Sequence, residues 1–151
     1  MMRSGKRVIG AAAVLLMAGI GWAAAQSPEQ IIKDRQANYK AIGDQMKAIK
    51  GVVDKDGPAT AAVAPAKDIQ ARIAKIQSLF PPGTDKGGDT HALPTVWSDR
   101  AGFDEAAKNA ETQATKLVEV AEKGDMKEIS AQFNQMGAAC GNCHRTFRAK
   151  L

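Results

Sequence analysis

The chain has 151 residues, 44% of them hydrophobic and 25% charged, a formal net charge of +5, two cysteines and two histidines. That length suits a single domain with its own core, and the charges are spread along the chain instead of forming the clustered basic face that nucleic acid needs. A structural zinc site would need four thiolates or imidazoles, every Cys and His in the chain, and His91 lies far from the others.

The first 25 residues stand apart. Arg3, Lys6 and Arg7 come with no acid, Val8 to Ile20 is apolar or small throughout, and Ala23-Ala24-Ala25 resembles a cleavage site before Gln26. This reads as a signal peptide cleaved after about Ala25. The alternative is an uncleaved anchor, since the apolar run approaches spanning length. Cleavage leaves 26–151 as one exported domain, periplasmic in a bacterium and not held to a membrane. Loss of the three leader cations lowers the formal charge from +5 to +2.

The mature chain predicts four helices. Ser27 caps the first, Pro28 suits its first position, and Gln30 completes a capping-box pattern. Ile32, Arg35, Tyr39, Ile42, Met46, Ile49 and Val53 then recur at steps of three and four, the seam of one buried face. Asp54 to Pro58 carries turn chemistry. The second seam is Ala66, Ile69, Ile73, Ile76 and Phe80, with Pro65 either first in its helix or a kink within it. Pro81-Pro82-Gly83 stops it. The stretch from there to Trp97 has no usable period, and so long a loop suggests a task such as packing over a cofactor.

Ser98 or Asp99 caps the third helix, whose seam is Phe103, Ala107, Ala110, Ala114, Leu117 and Ala121. Its alanines let a neighbour or a flat ligand approach the backbone. Gly124 ends it, and Asp125 with Glu128 opens the fourth. There the seam runs Met126, Ile129, Phe133, Met136, Cys140, Cys143 and Phe147. Four seams of about 20 residues predict an all-α, antiparallel four-helix bundle with helices roughly 30 Å long.

Cys140-Gly141-Asn142-Cys143-His144 ends that last seam and has the C-x-x-C-H spacing of covalent haem attachment. Each thiol would join one porphyrin vinyl group, and the imidazole would ligate the iron. Residues three and four apart share one helical face, so all three side chains point the same way. A thioredoxin-like pair would sit between a strand and a helix, and no strand is readable nearby. A disulfide between thiols three apart on a helix is geometrically awkward.

These elements together resemble cytochrome c′ and the other class II cytochromes c. The resemblance covers the whole mature chain and rests on C-x-x-C-H in the last helix, Arg35-Gln36 in the first, and the loop Thr90-His91-Ala92-Leu93-Pro94-Thr95-Val96-Trp97. It implies one covalent haem c on Cys140 and Cys143, with His144 as the metal ligand. It further implies Arg35 and Gln36 beside the propionates, Trp97 packed by the haem, and Arg148 near the proximal pocket. Arg35 at a seam edge has the alternative of snorkelling to solvent. His91 reads as an exposed loop residue.

The resemblance implies one-electron transfer with redox proteins and an iron that binds small gases, not catalysis, and the sequence offers no nucleophile–base pair. Many relatives are homodimers through their first two helices. In relatives that carry a methionine four residues after the first-helix arginine, the iron is six-coordinate; here that residue is Tyr39. The expectation is a five-coordinate iron open to nitric oxide or carbon monoxide, with Tyr39 as a lid among Ile42, Met46 and Phe80. A six-coordinate carrier using Tyr39 or Met46, or a nitric-oxide-scavenging or peroxidase-like haem protein, is the alternative.

Overall fold

The computed structural model describes residues 26–150, so the leader expected over 1–25 lies outside the described residues. Five helices follow in order: α1 (Pro28–Asp54), α2 (Val63–Ile73), the single turn α3 (Thr95–Ser98), α4 (Arg100–Lys123) and α5 (Met126–Phe147). No β-strand occurs among the described residues, only an isolated antiparallel bridge between Ala92 and Arg148.

Local chemistry explains the helix ends. The Gln30 N–H donates to Ser27 Oγ at 3.3 Å and Pro28 occupies the first position. The Gln30 side chain turns instead to Asp34 Oδ1, at 2.8 Å, so the reciprocal half of the capping box is not made. Asp99 caps α4 through Gly102 N–H, and Asp125 caps α5 through the N–H groups of Lys127 and Glu128. Gly124 closes α4 at φ 78°, a left-handed conformation that an L side chain resists.

The four long elements pack in a ring, α1 on α2, α2 on α4, α4 on α5 and α5 back on α1. The two-residue connection Gly124-Asp125 makes α4 and α5 antiparallel neighbours. One half of the bundle is solid: Ile49, Ala62, Ala66, Ile69, Ala114, Leu117 and Ile129 are fully buried there. The other half, where α1 begins and α5 ends, encloses a cavity.

The second seam is buried as expected, from Ala66 through Phe80, but its helix is short. A 3-10 turn over Ala59–Ala62 precedes α2, and another over Gln77–Leu79 follows it. Pro65 therefore sits inside α2, in its first turn, where a missing N–H is harmless. At the far end Pro81 disfavours helical geometry at Phe80. The carbonyls freed there are taken by side chains: Gln77 O and Phe80 O accept from Arg100, and Leu79 O accepts from Arg35.

Candidate functional site

The cavity measures about 520 Å³ and draws its walls from every long helix, a size within the ~300–1,000 Å³ range of small-molecule and cofactor sites. Its lining is mainly apolar: Ile42 and Met46 from α1, Ile73 at the end of α2, Ile76 and Phe80 beyond it, and Phe103, Ala107 and Ala110 from α4. The two alanines give α4 a low wall. The aromatic rings interlock on one side, with Phe80 and Phe103 centroids 4.9 Å apart and Phe103 and Phe147 5.4 Å apart, both edge to face.

Cys140, Cys143 and His144 all line this cavity from the last turns of α5. Both thiols are free and half-buried. Burial raises each thiol above its ordinary range, and Cys140 adds to the effect at Cys143. Burial, then Arg148, lowers His144, which favours the neutral imidazole that can ligate a metal. Arg148 is exposed at the rim and caps α5 by donating its N–H to His144 O at 3.1 Å.

Tyr39 faces His144 across the pocket, with ring centroids 6.2 Å apart, and leans edge-on against Phe80 at 6.3 Å. It packs with the core beside Met46. Burial holds its phenol far above its ordinary range, and the hydroxyl has no hydrogen-bond partner among the described residues.

Arg35 is only 3% exposed, so it does not snorkel. Its Nη1 donates to Leu79 O and Thr84 Oγ1, both at 3.3 Å, and its Nη2 donates to Thr84 O at 3.1 Å and Thr90 Oγ1 at 3.0 Å. The guanidinium also lies 4.3 Å over the Phe80 ring. All four acceptors are neutral, and no ion pair among the described residues includes Arg35. Gln36 stands exposed at the rim and donates to Asp89 O.

The structure also places two residues of the loop. Trp97 does not line the cavity: it stacks behind Phe80 at 6.0 Å and donates Nε1–H to Pro81 O at 3.1 Å. His91 is exposed, but its residue belongs to the cavity rim, and its carbonyl accepts from Ala149 N–H at 2.8 Å. Sequence reading missed Thr84 and Thr90, the oxygens that hold Arg35. Their signal was faint: hydroxyl residues in an aperiodic loop, opposite a cation on a buried face.

These residues fit a flat, iron-bearing, acidic group. Two thiols and an imidazole converge on one apolar pocket, and an uncompensated buried cation stands at its wall.

The family model described as Cytochrome C′ matches residues 30–148. A cytochrome c′ from Rubrivivax gelatinosus is 36% identical over 129 residues, which cover 83% of this chain and 98% of that protein. A cytochrome c′ described as having ligand-controlled dimer dissociation superposes with a TM-score of 0.80 at 34% identity, covering 84% of this chain and 100% of the other. A variant of cytochrome c prime from Alcaligenes xylosoxidans, solved as its nitric oxide complex, gives a TM-score of 0.77 at 29% identity, covering 84% and 99%.

Proposed function

This chain belongs to the cytochrome c′ family, and from that premise we propose an exported, periplasmic carrier with one iron face closed by His144 and the other left open to gas. As a member of that family it is a monohaem protein of electron transfer and gas binding. The observation that carries the finer reading is the pair of rings, His144 and Tyr39, facing each other across one cavity.

When bound, haem c would supply a one-electron iron couple and an iron able to take a small gas. The protein does the rest. Cys140 and Cys143 hold the group covalently, and His144 presents a neutral imidazole from the same helical face. Ile42, Met46, Phe80 and Phe103 exclude water. Arg35 and Gln36 stand for the propionates, where the charge of Arg35 favours ionised carboxylates.

Tyr39 is assigned as a lid and not a ligand. Burial disfavours its phenolate, and nitric oxide or carbon monoxide would enter as the ring swings aside. The nitric oxide complex of a variant of the Alcaligenes relative supports the gas-binding part of this reading. Met46 offers the competing ligand, since it lines the same cavity. The domain spans 26–151 after cleavage, and a homodimer through α1 and α2 accords with the dimer described for the relative above.

Ferric electronic and EPR spectra at neutral pH test the axial assignment. A high-spin, five-coordinate signal is expected. A low-spin signal with a methionine–sulfur charge-transfer band would overturn it. Attachment is tested by acid–acetone extraction, where the Cys140→Ala, Cys143→Ala double variant is expected to release its haem and the native chain to retain it.

A further inference from the structure

Residues 80–95 run as a strap from α1 to the end of α5. On the α1 side, Arg35 grips Thr84 and Thr90, Gln36 holds Asp89 O, and Gly88 lies so close to Ile32 that an added Cβ would come within 3.3 Å of its side chain. On the α5 side, Leu93 N–H donates to Phe147 O at 2.9 Å, Ala149 N–H donates to His91 O at 2.8 Å, and Thr95 Oγ1 donates to Thr146 O at 3.0 Å. These last bonds grip the turn of α5 that follows His144.

We propose that Thr84 and Thr90 are positioning residues for His144, acting through this strap; the proposal rests on His144 being the iron ligand. Thr90 Oγ1 accepts from Arg35 Nη2 on one side and from Ala92 N–H, at 3.2 Å, on the other. Ala92 is itself the residue bridged to Arg148. A single oxygen thus joins the helix of the distal lid to the helix of the proximal ligand. Thr84 strengthens the α1 anchor of the same strap: its oxygens take both terminal nitrogens of Arg35, and its hydroxyl donates to Pro81 O at 2.9 Å.

Burial makes these bonds matter. Arg35 has almost no water to fall back on, so losing a hydroxyl acceptor leaves a charged donor short of a partner in a dry site. The strap then loosens from α1, and the last turn of α5 loses part of its support.

The test uses the haem-loaded protein. Thr90→Val keeps the volume and removes the acceptor, and Thr90→Ser restores it. Two readouts are taken together: amide hydrogen exchange at Leu93 and Ala149, and the ferrous iron–histidine stretching band by resonance Raman. Thr90→Val is expected to speed exchange at both amides about tenfold, the scale of one hydrogen bond to a charged group, and to shift or broaden the band. Thr90→Ser is expected to return both towards native. Unchanged exchange in folded Thr90→Val overturns the proposal. So does faster exchange with an unmoved band, since the strap is then structural only. If Thr90→Val does not fold, Thr90→Ala, which also removes the acceptor, takes its place, with the same expected changes and the same contrary results. If the native chain carries no covalent haem, the reading of His144 fails, and the exchange data on the unloaded chain still measure the strap.

Discussion

At Tyr39 the chain sets an aromatic ring across the cavity from His144, and the ring's neighbours are Phe80 and His144. Tyr39→Met should therefore convert the ferric iron from high-spin to low-spin and suppress carbon monoxide binding to the fraction of iron left open. EPR and a carbon monoxide titration read both. Arg35 makes a second prediction. Arg35→Leu removes a positive charge from the cavity wall, so the potential falls, and a carboxylate that leaned on that charge ionises at a pH higher by about one to three units. Redox titration across pH checks it, and an unchanged profile counts against the pairing. The seam on α1 announced that Arg35 would be buried, because its spacing placed it between Ile32 and Tyr39. Its partners were not legible, because Thr84 and Thr90 come from a segment with no period and meet it only through tertiary packing.

The long helices were legible in their caps and seams, and α2 was not. Its seam of buried residues is right from Ala66 to Phe80, but hydrophobic spacing does not register who takes the carbonyls at the end of a helix. Arg35 and Arg100 take them, and the last turns relax to 3-10 geometry. The entry to α4 gives a testable case. Asp99 Oδ1 accepts from Gly102 N–H at 3.1 Å, and a Cβ at Gly102 would collide with that same carboxylate. Asp99→Ala should cost about 1 kcal/mol. In a Gly102→Ala background, where the cap is already displaced, the cost should nearly vanish. A double-mutant cycle by urea denaturation reads the coupling, and simple additivity would show that the added methyl leaves the cap in place.

At the scale of the whole molecule, the ring of helices divides into a filled half and a hollow half. Ala107 and Ala110 keep the hollow open. Ala107→Leu should push side chain into that space, lower covalent haem yield in a host competent for cytochrome maturation, and destabilise the loaded protein by about 1–3 kcal/mol. Pyridine haemochrome yield and thermal melting measure the two effects, and an unchanged yield would mean that α4 does not border the haem.

The ring also sets an order in time. The pairing of α4 with α5 needs only the two-residue turn at Gly124-Asp125, whereas the seam between α1 and α5 joins the two ends of the described chain. Loop-closure entropy makes the distant seam late to form and early to open. Cys140, Cys143 and His144 all belong to the early hairpin. On denaturation the prosthetic group should therefore be uncovered while still tethered to that hairpin. On refolding it should already be attached when α1 closes over it.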